Sequence, residues 1–329
     1  MTEVIVGVDV SKKSLEVAML EKTSGRCLFT KTFSNTNIGF RDLLTYVHMK
    51  RKGHKPTVIL EATGIYHENF VDFCYANNMP VCVILPNKIK HFAKAENVKT
   101  KNDKVDAKII ARYGCAFHLD VWQPMSQNYF QLRSLSRQLQ SFKKERTRIK
   151  SRMHALNSTN RTLDCILSLE KEHLSFIEDA IGQLEEQILR IAQSDTEFYH
   201  RVSTVATIKG VSILTIIQIA CETNGFELIE SAKQLVSFAG LDVVEKQSGE
   251  YIGRSHISKK GNRHIRHLLF MPALSIATQR KSKLADFYNK LVDRNNGTSK
   301  KKGIIAVERK LLVLIYSLWK SGERFDPNR

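Results

Sequence analysis

Four acidic residues stand where acids are costly or crowded. Asp9 lies inside the apolar run Val4-Ile5-Val6-Gly7-Val8-Asp9-Val10, and Glu61 ends a second run, Thr57-Val58-Ile59-Leu60, just before Ala62-Thr63-Gly64. A carboxylate among buried apolar side chains is expensive unless it is paired or binds a cation. Asp103 and Asp106 are three residues apart, so on a helix they share a face and repel unless a cation lies between them. Four such groups converging at one sheet end suit Mg2+, a hard cation that takes oxygen ligands. Two ions about 4 Å apart can assist both the attacking and the leaving oxygen in phosphodiester chemistry. Each residue alone also has a plainer reading. Asp9 caps a turn, Glu61 is a surface carboxylate, Asp103 is a helix N-cap and Asp106 lies on a solvated helix face.

The elements around these acids form an α/β domain over residues 1–124. The β-branched run at Val4–Val10 reads as a buried strand. Leu15–Leu20 and Cys27–Phe33 follow so closely that antiparallel hairpins are expected. Helical spacing at Gly39–Lys50, a strand at 57–60, a helix at Tyr66–Asn77, a strand at Pro80–Pro86 and a helix at Asp103–Tyr113 complete a mixed sheet surrounded by helices.

Residues 125–195 read as a helical hairpin. Leu132, Leu135, Leu139, Phe142, Arg146, Ile149, Met153 and Leu156 step by three and four, as do Leu174, Ile177, Ile181, Leu184, Ile188 and Ile191. These are heptad-like seams of a coiled coil, either within the chain or between copies, with the turn at Asn157–Asp164. Residues 196–329 are mostly helical, with an apolar helix after Ile208-Lys209-Gly210-Val211, a polar Gly-containing stretch from Glu245 to Asn262, and helices at Ile265–Arg280 and Ile304–Lys320.

In that polar stretch, Ser248-Gly249 permits a tight turn that can present a hydroxyl. In isolation it is an ordinary loop serine. No Asp-His relay lies near it, although Glu245 and Glu250 do, and activation by metal at the distant carboxylates would solve the problem. Ser255 and Ser258 are the fallback candidates.

Charge points to a polyanionic partner. The 329 residues carry 51 Lys+Arg against 33 Asp+Glu, a net charge of +18. An apolar fraction of 42% is ordinary for a globular protein and excludes a largely disordered chain. No apolar run reaches the roughly 20 residues that span a bilayer, and no basic and apolar leader opens the chain, so a membrane partner is excluded and a cytoplasmic location expected. The six cysteines form no CxxC pair and read as reduced, mostly buried thiols. Between Gln131 and Arg152, eight cations, among them Arg133, Arg137, Lys143, Lys144 and Arg148, face a single acid, Glu145. That density suits a surface that tracks phosphates. Arg254, Lys259, Lys260, Arg263 and Arg266 surround Ser248 and are candidates to clamp a phosphate. Lys88, Lys90, Lys94, Lys99 and Lys101 form a strip beside the acids, and Lys300-Lys301-Lys302 an exposed basic loop.

The blocks Gly7-Val8-Asp9-Val10-Ser11-Lys12, Glu61-Ala62-Thr63-Gly64-Ile65-Tyr66 and Lys101-Asn102-Asp103-Lys104-Val105-Asp106-Ala107 resemble, in order, spacing and flanks, the DEDD motifs of the insertion-sequence recombinases of the "IS one-ten" group, which includes the Piv-type DNA invertases. The stretches Phe238–Leu241, Gln247-Ser248-Gly249, Ile257–Gly261, Arg263–Arg266 and Met271–Ala273 resemble the second domain of that family. Where the family often has Pro after Gly-Leu-Thr, this chain has Gly240-Leu241-Asp242-Val243. The resemblance implies an N-terminal RuvC-like domain of RNase H fold, a coiled-coil linker and a mostly helical transposase domain. It implies Mg2+ held by Asp9, Glu61, Asp103 and Asp106, and Ser248 as the nucleophile of a covalent protein–DNA intermediate. It further implies donor and target DNA as partners, a non-coding bridge RNA, and a dimer to tetramer whose active site is composite. Three rivals are a site-specific invertase of the same family, a RuvC-like hydrolytic nuclease that needs no serine, and a non-catalytic nucleic-acid binder.

Overall fold

The computed structural model describes residues 3–50, 53–100, 102–227, 229–245, 247–248, 251–253, 255–279, 282–294 and 298–326. The chain divides into two compact units, Met1–Pro124 and Met125–Arg329. Lys101, Gly249, Glu250 and Arg254, which carry sequence expectations, lie outside the described residues.

The first unit runs β1 (Glu3–Val10), β2 (Ser14–Glu21), β3 (Cys27–Ser34), α1 (Asn37–Lys50), β4 (Lys55–Glu61), α2 (Glu68–Ala76), β5 (Val81–Ile84), α3 (Pro86–Ala95) and α4 (Asp103–Ala116). The sheet order is β3-β2-β1-β4-β5. β1, β2 and β3 pair antiparallel, whereas β4 and β5 pair parallel on the other side of β1. This is the RNase H-like arrangement expected. Helix α3 is missing from the sequence reading, although Pro86 at its first turn is a helix-start signal. The basic strip at 88–94 lies on it.

Both sheet faces are covered, which is why β1 is apolar without a break. Val4, Val6, Val8 and Val10 pack in one cluster with Phe40, Leu43 and Val47 of α1 and Phe70 of α2. Ile5 and Ile59 pack on the opposite face with Ala107, Ile110 and Ala111 of α4. Helix α4 lies very close to β1. A Cβ at Gly7 would stand 2.3 Å from the Ala107 carbonyl oxygen and 2.4 Å from the Ala111 nitrogen. At the far end of the helix, a Cβ on Gly114 would stand 2.6 Å from Ile59 and 2.8 Å from Ile5.

The second unit holds α5 (Gln127–Asn157), α6 (Asp164–Ser194), α7 (Thr196–Val205), α8 (Ile213–Glu222), α9 (Ala232–Phe238), β6 (Val243–Val244), β7 (Gln247–Ser248), β8 (Tyr251–Ile252), β9 (His256–Ile257), α10 (Arg263–Gln279), α11 (Lys283–Asp293) and α12 (Lys300–Ser321). Helices α5 and α6 are the hairpin, and their seams close on each other within the chain. Leu132, Leu139, Ile149, Ile177, Ile181 and Ile188 are buried in one cluster with Phe198, Ile217, Leu269, Leu311 and Trp319. The hairpin therefore shares its core with the helices after it and does not stand apart as a linker. Lys300-Lys301-Lys302 opens α12 and is helical, not a loop. The turn at Ile208–Val211 joins α7 to α8, with Gly210 at φ +98°. All six cysteines are free. Cys74, Cys82 and Cys221 are buried, but Cys27 and Cys165 are exposed, so the thiols are less buried than expected. No helix among the described residues is long and apolar enough to cross a membrane.

Candidate active site

The close contact at Gly7 places the acids. In the parallel pair, Val8 of β1 stands opposite Leu60 of β4, so Asp9 and Glu61 each follow a matched residue. Alternation puts both on the face that α4 covers, the face of Ile5 and Ile59. Helix α4 runs antiparallel to β1, with residues 107–111 over Gly7 and Gly114 over Ile5. Its N-terminus therefore lies at the C-terminal end of β1, where Asp9 is. Asp103 and Asp106 occupy that first turn, and Asn102 caps it by accepting from the Val105 N–H at 2.9 Å. The positive end of the helix dipole favours carboxylates there.

Asp9 records the convergence electrostatically. Burial, and then the negative charges of Asp106, Asp103 and Glu61, push its carboxyl up from 3.8 to about 6. Four oxygen-donor groups that repel one another suit a hard divalent cation. Among the described residues, no three His, Cys, Asp or Glu side chains are close enough together to share one ion. The acids are near enough to perturb Asp9 but are not drawn to a single point.

The loop after Glu61 is held by its own hydrogen bonds. Thr63 Oγ1 donates to the Glu61 carbonyl at 2.9 Å, and the Thr63 N–H donates to His67 Nδ1 at 3.2 Å. Burial lowers the pKa of His67, which favours the neutral ring that can accept. Asn35 Nδ2 donates to the carbonyls of Ser11 at 2.8 Å and Tyr66 at 3.1 Å. It thereby ties the turn after β1 to the loop after β4.

In the second unit, β6 pairs with β9, and Ser248 pairs with Tyr251 in the β7–β8 ladder. Ser248 thus sits at the end of an antiparallel hairpin and is exposed. The base of the hairpin is pinned by Ser258, whose N–H donates to the Asp242 carbonyl at 2.9 Å and whose Oγ donates to Asp242 Oδ1 at 2.5 Å. Ser258, a fallback nucleophile, is engaged as a clasp.

Several expected phosphate-binding cations are engaged within the protein. Arg137 makes a bidentate pair with buried Glu222, at 2.8 and 2.9 Å. Lys143 pairs with Glu185 at 2.6 Å and Arg148 with Glu145 at 3.3 Å. Arg266 donates to the Ala239 carbonyl at 2.6 Å. Lys144, Lys259, Lys260 and Arg263 are exposed, whereas Arg133 is partly buried. Sequence reasoning missed the polar network around Glu222, which also accepts from Asn262 Nδ2 at 2.7 Å, while His264 Nδ1 and Gln140 Oε1 meet at 2.8 Å. Its partners are up to 124 residues apart, and spacing carries no signal at that range.

Two family models match. Residues 6–158 match the DEDD model of the IS110 group, described as a transposase, and residues 202–289 match the transposase IS116/IS110/IS902 family. The pilin gene-inverting protein of Moraxella bovis is 30% identical over 99% of this chain and 98% of its own length. That of Moraxella lacunata is also 30% identical, with the same coverage. The transposase for insertion sequence element IS1111A of Coxiella burnetii is 23% identical over 85% of this chain and 79% of its own. Among solved structures, Thermus thermophilus RuvC matches 36% of this chain and 99% of its own at 14% identity and a TM-score of 0.29. RuvC in complex with a Holliday junction substrate matches 33% and 90%, at 14% identity and a TM-score of 0.27. On its relatives of full-length coverage, the chain belongs to the IS116/IS110/IS902 transposase family and is an enzyme of DNA recombination.

Proposed function

We propose that this chain cuts and rejoins donor and target DNA through a covalent phosphoserine intermediate, with Mg2+ held by Asp9, Glu61, Asp103 and Asp106. The observation that carries this reading is the place of Asp9 at the sheet end, beside Glu61 of the paired strand and the first turn of α4 with Asp103 and Asp106, where burial and then their charges raise its carboxyl. Bound there, a divalent cation would polarise the scissile phosphate and favour a deprotonated attacking hydroxyl. Ser248 Oγ forms a bond to the scissile phosphorus as the bond to the leaving sugar oxygen breaks, and that oxygen takes up a proton. Attack by a hydroxyl of the new partner strand reverses the step and frees the serine. The phosphodiester energy is kept, so no ATP is needed. The exposure of Ser248 at a hairpin end supports this role.

Lys144, Lys259, Lys260 and Arg263 are exposed and suited to phosphate contacts, and a bridge RNA would be held largely through its backbone and shape. The active chain is a cytoplasmic homo-oligomer, dimer to tetramer, in which the serine of one copy serves the carboxylates of another. An outer stripe on α6 supports association between copies. Ile166, Leu169 and Phe176 are 40%, 66% and 66% exposed at near-heptad spacing, outside the seam that closes on α5.

A covalent-adduct assay tests the reading. Protein is mixed with Mg2+, labelled DNA spanning the junction of its element, and RNA transcribed from the flank. Labelled protein on a denaturing gel, lost in Ser248→Ala and lost without Mg2+, is expected. Free cleaved DNA from both proteins, with no adduct, would establish the hydrolytic nuclease instead. A second reading, inversion between fixed sites, is favoured by the full-length match to the pilin gene-inverting proteins. Inverted sites in the DNA flanking the gene would decide for it.

A further inference from the structure

The loop that follows Glu61 displays large apolar side chains at the same sheet end as the acids. Ile65 is 71% exposed and Tyr66 43%. Leu85, 57% exposed, stands at the end of the neighbouring strand, where the Ala62 N–H donates to the Ile84 carbonyl at 2.9 Å. Isolated exposed apolar residues need no explanation, but an apolar group on a fixed support beside a candidate active site does. The support here is fixed. The Tyr66 N–H donates to the Thr63 carbonyl at 3.1 Å, the Glu68 N–H to the Ile65 carbonyl at 3.3 Å, and Asn35 holds the Tyr66 carbonyl. Gly64 takes φ +54°, a left-handed turn that lifts Ile65 out of the line of β4. The acids and this apolar edge thus share one tied framework, since Asn35 also holds the turn after Asp9.

We propose that Ile65 and Tyr66 contact nucleobases. They would form an apolar wedge that enters the base stack of the DNA beside the scissile phosphate and unstacks it, so that the strand can bend into the carboxylates. The proposal rests on the DNA-recombinase reading above. A carboxylate site that acts on a phosphodiester meets the bases flanking the cut, and carboxylates without a cation repel the phosphates beside it. An apolar or aromatic surface is sequence-tolerant, because every base has a π-face. Apolar wedges that part base steps are a general means of bending duplex DNA.

The test uses the full chain with the RNA and a junction duplex carrying 2-aminopurine next to the cut. Binding by wild type should raise the fluorescence, which reports unstacking, and Ile65→Ser should bind without the rise. Cleavage of paired DNA by Ile65→Ser should fall about tenfold, and two mismatched bases at the cut should restore it to within about twofold. Ile65→Leu should behave as wild type. Equal cleavage by Ile65→Ser and wild type on paired DNA would overturn the proposal, as would a loss that mismatches do not restore. A wild type that unstacks the probe but neither cleaves nor forms an adduct would fail the catalytic reading and leave the wedge standing.

Discussion

Asp9 and Glu222 are both withdrawn from water inside the chain, yet they are treated in opposite ways. Around Glu222 the protein supplies compensation. Burial pushes its carboxyl up, but hydrogen bonds from Arg137 and Asn262 pull it below the usual carboxylate range. Around Asp9 burial likewise pushes the carboxyl up, and three more negative charges, in place of a cation, add to the rise to about 6. One acid is satisfied and holds α5, α8 and the start of α10 together. The other is left in a state that only an added positive charge relieves. A buried carboxylate with its own cation is architecture, while a half-buried carboxylate among carboxylates is a candidate place for chemistry.

The sharpest way to break this comparison is to neutralise each acid without changing its shape. Asp9→Asn should abolish adduct formation, on the order of a thousandfold, because a metal centre contributes several kcal/mol to the transition state. In EDTA the same variant should melt no lower than wild type, since it removes repulsion. A clear fall in its melting temperature would show that Asp9 is a structural acid like Glu222. Arg137→Ala should do the reverse, costing about 1.5–3 kcal/mol of stability by stripping a charged bond from Glu222. Denaturant unfolding of the two variants side by side reads this directly.

Glu308 offers a third case and a pH dependence. It is 3% exposed, and burial pushes its carboxyl up from 4.5 to about 7, opposed only in part by Arg266. A folded pKa above the unfolded one means that stability is fully present below about 4.5 and is lost as pH rises through about 7. The loss is on the order of 3 kcal/mol from the shift, and Glu308→Gln should flatten the profile in urea melts between pH 5 and 8. Gly7→Ala tests the geometry beneath the acid site. Its methyl meets the α4 backbone, so the helix must move, at roughly 1–3 kcal/mol. Cleavage should fall more steeply than stability, because the displaced helix carries Asp103 and Asp106. The smallest effect is expected on the outer stripe. Leu169→Ser should leave melting unchanged at high dilution and shift the mass measured by light scattering toward the monomer.

The short apolar, β-branched runs at 4–10, 57–60 and 81–84 determine the central strands of the first unit, because burial on both faces is written locally as unbroken apolar sequence. The heptad steps of 132–156 and 174–191 determine two long helices, and the resemblance to the family's motif blocks marks Asp9, Glu61, Asp103, Asp106 and Ser248 as candidates. Helix α3 escaped because its apolar stripe is short and lysine-rich, and the network of Glu222 escaped because its members come from distant segments. Sequence spacing also could not assign charges. A run of eight cations on α5 reads as a phosphate surface, yet Arg137, Lys143, Lys150 and Arg152 each meet an acid brought to them by another helix. Local pattern decides which elements form, since propensity and burial period act over a few residues. Tertiary packing decides which charges are neutralised and which are left to repel. That depends on contacts such as Gly7 against Ala107 and Ala111, which bring together residues a hundred or more positions apart.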